Sequence, residues 1–89
     1  MIITEFHPKF RKSYKSRIVK NRKLLIKTKE RIKLFKGDPQ NPILKDHQLT
    51  GDQKGNRSFW VTGDIRIIYC PISKNAVLFL DIGTHNQVY

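Results

Sequence analysis

Apolar residues recur on two different periods along this chain. From Phe10 the period is helical: Phe10, Tyr14 and Ile18 come every four residues, then Leu25, Thr28, Ile32 and Phe35 at i, i+3, i+7 and i+10, with lysine and arginine filling most positions between. The two stripes fall out of phase around Val19 to Arg22, where Asn21 can end a helix, so the spacing predicts two helices of roughly 10 and 15 residues. Ile2 and Ile3 open a short extended segment before them, and Pro8 suits a first helical turn, where a missing amide donor costs nothing. Gly37, Asp38 and Pro39 stop the second helix.

Beyond Pro42 the period shortens to two. Residues 58–62, 65–70 and 76–82 are short β-branched and aromatic runs bounded by turn residues, and they predict three strands. Gly63-Asp64 and Ser73-Lys74-Asn75 join them as consecutive hairpins, an antiparallel meander. Alternation sends Phe59, Val61, Ile65, Ile67 and Tyr69 to the face that the helices must cover. It leaves Trp60, Arg66 and Ile68 on the open face. The expected fold is α+β, with a short N-terminal strand and two helices packed on a twisted antiparallel sheet of about four strands, all in a single domain spanning residues 1–89.

Composition narrows the class. With 89 residues, 38% of them hydrophobic and 10% aromatic, the chain can bury one core and is no disordered basic tail. No apolar run approaches the roughly 18 residues of a membrane span, and the start, Met-Ile-Ile-Thr-Glu-Phe-His, carries no charged-then-apolar leader. Cys70 is the only cysteine, so no internal disulfide supports the fold, and a cytoplasmic protein away from membranes is expected. Charge changes the picture more. The net +11 is concentrated in residues 9–36, which hold 13 of the 18 Lys and Arg against one acid, Glu30, whereas five bases and five acids balance from Gly37 onward. Such a field predicts a polyanion or an acidic protein as partner.

The chemistry on offer is metal-free. His7, His47 and His85 are scattered, Cys70 is alone and no carboxylates gather at ligand spacing, so no metal or cofactor is expected. Gly51 and Gly55 flank Asp52-Gln53-Lys54 as a surface loop, not a phosphate cradle. His47, Asp64 at the hairpin, Arg66, His85 and Tyr89 are candidates to converge at one rim of the sheet for acid-base work. Trp60 beside Arg66 admits two readings: an RNA base stacks on the ring while the guanidinium holds phosphate, or the ring covers arginine methylenes.

The motifs Leu44-Lys45-Asp46-His47-Gln48-Leu49-Thr50-Gly51, Gly55-Asn56-Arg57-Ser58, Gly63-Asp64-Ile65-Arg66-Ile67-Ile68-Tyr69 and the ending Leu80-Asp81-Ile82-Gly83-Thr84-His85-Asn86-Gln87-Val88-Tyr89, in this layout, resemble the RelE/ParE toxin superfamily and within it the YafQ-like branch. The resemblance implies a toxin of a type II toxin-antitoxin pair, held inactive by its antitoxin. Many such toxins cut messenger RNA in the ribosomal A site. By this resemblance His47, Asp64 and His85 match acid-base or substrate-positioning residues of YafQ-like enzymes, Arg66 the central-strand arginine of RelE-like relatives, and Tyr89 the C-terminal catalytic aromatic. Two positions depart from the pattern: Trp60 stands where YafQ-like enzymes have a histidine, and Asp81 where they have an arginine.

The expected activity is metal-independent, ribosome-associated RNA cleavage by attack of the substrate's own 2′-hydroxyl. His47, with Asp64, accepts the proton, Arg66 stabilises phosphoryl charge, and His85 or Tyr89 protonates the leaving oxygen. Arg57, Trp60, Lys45 and Lys54 are the expected RNA-binding positions, and the basic helices the surface for ribosomal RNA and for an acidic or amphipathic antitoxin segment. The rival expectation is a non-catalytic binder, either a ParE-like gyrase inhibitor or a degenerate member that only binds antitoxin.

Overall fold

In the computed structural model, which describes residues 1–89, strand β1 (Ile3–Phe6) leads directly into α1 (Pro8–Ser13). His7 joins them in extended conformation, its Nδ1 accepting from the Lys9 amide at 3.0 Å, and Pro8 takes the first helical position. The helix then widens into one π turn, Tyr14–Ile18, closed by the Val19 amide on the Tyr14 carbonyl at 3.1 Å. The stripe explains the widening. Phe10 and Ile18 would lie about 80° apart around a regular helix of 3.6 residues per turn, and the wider turn lets both enter the core. Asn21 begins the second helix instead of ending the first. Its Oδ1 accepts from the Leu24 amide at 3.1 Å and caps α2 (Arg22–Gly37).

The remaining strands are β2 (His47–Gln48), β3 (Arg57–Trp60), β4 (Ile65–Ser73) and β5 (Ala76–Thr84), in the order β1-β5-β4-β3-β2. The meander β3-β4-β5 is antiparallel as expected, but the sheet has five strands and is mixed, because β1 lies parallel to β5 with Ile3 opposite Ala76. Parallel pairing needs a long crossover, and here the helices and the meander separate the two strands. The extra strand, β2, is two exposed polar residues with no apolar alternation to announce it.

Helices cover one face of the sheet. Phe35 stacks on Phe59 at 4.4 Å and 9°, and Phe79 lies within 6.0 Å of the rings of Phe6, Phe10, Phe35 and Phe59. Such pairs contribute about 0.5–1.5 kcal/mol each beyond area burial. Tyr14 and Tyr69 join the same cluster, which leaves Trp60 and Tyr89 as the only aromatic residues outside it. On the opposite face, register aligns Trp60, Arg66 and Gly83 in one row and His47, Ser58, Ile68 and Asp81 in the next. This face is not fully open. The short helix α3 (His85–Val88) folds back against β4 and β5, and Ile68, expected to be exposed there, is buried together with Val88. Gly83 lies beneath the fold-back, where a Cβ would press on the ends of the Gln87 and Arg17 side chains, Oε1 at 2.6 Å and Nη1 at 2.7 Å, and oblige them to shift. No helix is long and apolar enough to cross a membrane.

Candidate active site

Where α3 turns back, the free face of the sheet forms a cleft of about 450 Å³ lined by His47, Gln48, Leu49, Thr50, Asp52, Gln53, Arg66, His85 and Tyr89. Three distant stretches of sequence, 47–53, Arg66 and 85–89, therefore meet at one rim. His47 projects from the edge strand β2, with Nδ1 2.8 Å from the Lys45 carbonyl. A carbonyl can only accept, so Nδ1 carries the proton and Nε2 is left for chemistry. His85 opens α3, whose start is tied by the Thr84 amide donating to Gln87 Oε1 at 2.8 Å. Its ring meets that of Tyr89 edge-on at 4.5 Å, and the Tyr89 amide donates to the His85 carbonyl at 3.0 Å. Arg66 reaches the cleft from β4, with its guanidinium 4.6 Å from the Trp60 ring centroid and a long 3.4 Å bond from Nη2 to the Gly63 carbonyl.

Other expected residues lie elsewhere. Asp64 sits exposed in the β3-β4 turn, where its amide donates to Thr62 Oγ1 at 3.1 Å, and it does not line the cleft. Lys45 approaches the Trp60 ring at 5.1 Å. Lys54 lines a separate groove of about 380 Å³ that shares Gln48 and Leu49 with the cleft. Arg57 borders that groove but lies in the same row as Tyr69 and Phe79, on the opposite side of the sheet from Arg66. Its Nε donates to Asp46 Oδ1 and to the Tyr69 hydroxyl, both at 3.2 Å, and the Tyr69 hydroxyl bonds both Asp46 oxygens at 2.7 and 2.8 Å. Burial and then the Asp46 carboxylate push the Tyr69 hydroxyl pKa far up. Burial alone would lower the Arg57 pKa, but its bond to Tyr69 and the Asp46 charge outweigh that, so the guanidinium stays charged. Arg57 thus completes a buried polar knot instead of facing a phosphate in the cleft.

The family model of YafQ, a bacterial toxin of type II toxin-antitoxin systems, matches residues 3–89. The chain belongs to that family. Comparison with curated proteins finds no match. Among solved structures, YafQ from E. coli strain BL21(DE3) is 26% identical over 100% of this chain and 99% of its own, with a TM-score of 0.82. YafQ in the E. coli DinJ-YafQ toxin-antitoxin complex is 26% identical over 99% of this chain and 97% of its own, with a TM-score of 0.78. A metal-bound toxin from Helicobacter pylori is 26% identical over 100% of both chains, with a TM-score of 0.80. The YoeB/ParE toxin from Agrobacterium tumefaciens, at 19% identity and a TM-score of 0.77, shares the fold. The family and the RelE-like fold read from the motifs are borne out.

Within this YafQ-family chain, the departure at Asp81 loses its sting. Asp81 is 4% exposed and lies outside the cleft, with Lys9 at 3.6 Å and Arg17 at 3.5 Å, while its Oδ1 accepts from the Ile82 amide at 2.9 Å. Its charge is matched by the N-terminal helical segment before it can act on the cleft. Sequence reasoning missed two features. Asp46, read only as the neighbour of His47, anchors the polar knot; the available signal was an arginine and a tyrosine at the end of an otherwise apolar row. The loop 49–53 forms a wall of the cleft, with Gln53 Nε2 donating to the Val88 carbonyl at 3.3 Å. Its signal was the paired glycines, Gly51 at φ 64 and Gly55 at φ 95, which frame a one-turn helix.

Proposed function

We propose that this chain is a type II toxin that acts in the cytoplasm as a metal-independent endoribonuclease on ribosome-bound messenger RNA. The observation that carries this reading is the meeting of His47, Arg66, His85 and Tyr89 in one cleft, with His47 Nε2 free of protein partners. The substrate's 2′-hydroxyl gives its proton to His47 Nε2 and attacks the adjacent phosphorus. The P–O5′ bond breaks, and His85 supplies the proton to the departing 5′-oxygen, imidazole being better matched to neutral pH than the Tyr89 phenol. Products are a 2′,3′-cyclic phosphate and a 5′-hydroxyl. Arg66 stabilises the charge that develops on the phosphoryl oxygens, a contribution of the order of 100- to 1000-fold in rate. Asp64, outside the cleft, has no proton to move in this scheme.

The basic helical layer would dock on ribosomal RNA phosphates and receive an acidic or amphipathic antitoxin segment, in keeping with the DinJ-YafQ complex of the E. coli relative. The deciding experiment maps transcript ends after brief induction, with an Arg66→Ala, His85→Ala double variant as control. Cleavage with 5′-hydroxyl ends in the presence of chelator, absent from the double variant, is the expected result. Failure of DNA supercoiling before any failure of translation would replace the ribonuclease with a gyrase inhibitor.

A further inference from the structure

A tryptophan on a sheet surface beside an arginine suggests a shelf for a base, yet the Trp60 ring is already occupied. Register sets Trp60 directly opposite Arg66, and Lys45 lies just before β2, whose first residue His47 pairs with Ser58 on the Trp60 strand. The two cations close on the one ring, Arg66 Cζ at 4.6 Å and Lys45 Nζ at 5.1 Å from its centroid. Like charges do not gather without a cause. The negative face of the indole attracts each, and backbone geometry aims both: Arg66 from mid-strand, and Lys45 from a left-handed φ of 49 that a lysine adopts only under constraint.

Neither cation is neutralised. No ion pair involves Lys45 or Arg66; Asp46 is held by Arg57 and Tyr69, Asp81 by Lys9 and Arg17, and Asp52, on the loop wall of the cleft, pairs with neither. Arg66 Nε is buried with no hydrogen-bond partner at all. The half-buried guanidinium thus leaves one donor unpaired and makes only the long Nη2 bond to Gly63, a shortfall that a ligand would relieve.

We propose that Lys45, Trp60 and Arg66 form a phosphate-binding subsite in which the indole is a platform for two cations, seating an RNA backbone phosphate beside the His47 and His85 cleft. Trp60 is thereby a positioning residue for charge, not a stacking residue for bases. The subsite deepens the ribonuclease reading and rests on it only for the source of the phosphate; anion binding itself needs no catalysis. It also gives the residue that departs from the family pattern a task that the histidine of that pattern, with no comparable π face for cations, would perform less well.

Trp60 is the sole tryptophan, so its emission reads the subsite directly. Titrating the intact protein with inorganic phosphate at low salt is expected to give a saturable change in emission. In Lys45→Gln, where the tryptophan remains, the affinity is expected to fall about 3- to 30-fold, the range of a lost cation–π partner. Calorimetry extends the test to the ring: Trp60→Phe should keep most of the phosphate affinity, and Trp60→Leu, with circular dichroism unchanged, should lose as much as Lys45→Gln. Emission that responds to a non-cleavable oligonucleotide but not to phosphate, or phosphate binding undiminished in Trp60→Leu, overturns the platform and restores base stacking. A phosphate response in a protein that leaves RNA intact supports the subsite while refuting the ribonuclease. RNA cleavage without a phosphate response does the reverse.

Discussion

The helical layer and the free face of the sheet use positive charge in opposite ways. Residues 9–36 carry 13 of the 18 basic residues against a single acid, and apart from Lys9 and Arg17 none of them makes an ion pair. The sheet half is neutral in sum, but three of its cations have individual addresses: Arg57 in the knot with Asp46 and Tyr69, and Lys45 and Arg66 on the Trp60 ring. A summed field acts over a Debye length of roughly 10 Å and speeds encounter with any polyanion. A placed cation acts on one atom. Total charge therefore says which partners approach, and position says what happens to them.

If placed groups do the chemistry, removing one from the cleft must be felt in the rate. His85→Ala is expected to lower the single-turnover rate of RNA cleavage about 100- to 10,000-fold, the usual share of a general acid, while binding at low salt stays within a few-fold. A charge-neutralising change on α2 that produced an equal loss of rate would place the chemistry on the helices instead. Next in size is the joint between the two regions. Phe59→Ala removes the ring stacked on Phe35 at 4.4 Å and should cost about 3–5 kcal/mol of stability, measured by urea unfolding.

The buried knot gives a smaller effect with a pH signature. Tyr69→Phe leaves the Asp46 carboxylate with Arg57 as its one side-chain partner and should cost about 1–3 kcal/mol at neutral pH. The Tyr69 pKa is raised in the folded state, so the native protein holds this proton after the unfolded chain has released it. That stabilisation is complete below the unfolded value of about 10 and is lost as pH climbs above it. The parent should therefore lose stability steeply on the alkaline side of that value and Tyr69→Phe less so, which unfolding midpoints across the range would reveal. Equal slopes would mean that Tyr69 is not the titrating group.

How far each region could be read from the sequence follows the same division. The helical stripe through Phe10, Ile18, Thr28 and Phe35, and the alternation through Phe59, Ile67 and Tyr69, were legible because burial imposes a period that local spacing records. His47, Arg66, His85 and Tyr89 could be nominated as a group, through motif resemblance joined to hairpin topology. What stayed hidden depended on pairings between distant segments. The parallel partnership of β1 with β5 is set by a crossover of some seventy residues, and β2 has no period at two residues in length. Arg57 was misplaced for a simpler reason: an arginine at the end of an apolar row reads as a free cation until the acid that captures it, eleven residues earlier, folds alongside.

A small charge change confined to α2 probes the helical layer by itself. Lys29 and Lys33 are one turn apart on α2, so they repel, and neither is ion-paired. Replacing both by glutamine removes a like-charge i, i+4 pair and should raise stability by about 0.2–0.5 kcal/mol, opposite in sign to the changes above. Cleavage of a short RNA at low salt should be unaltered, since neither residue reaches the cleft. If the helices track phosphates, the slope of log affinity against log salt for a long RNA falls by about one for each contact removed. A slope that does not move would free α2 from the nucleic acid and leave the acidic antitoxin as the reason for its charge.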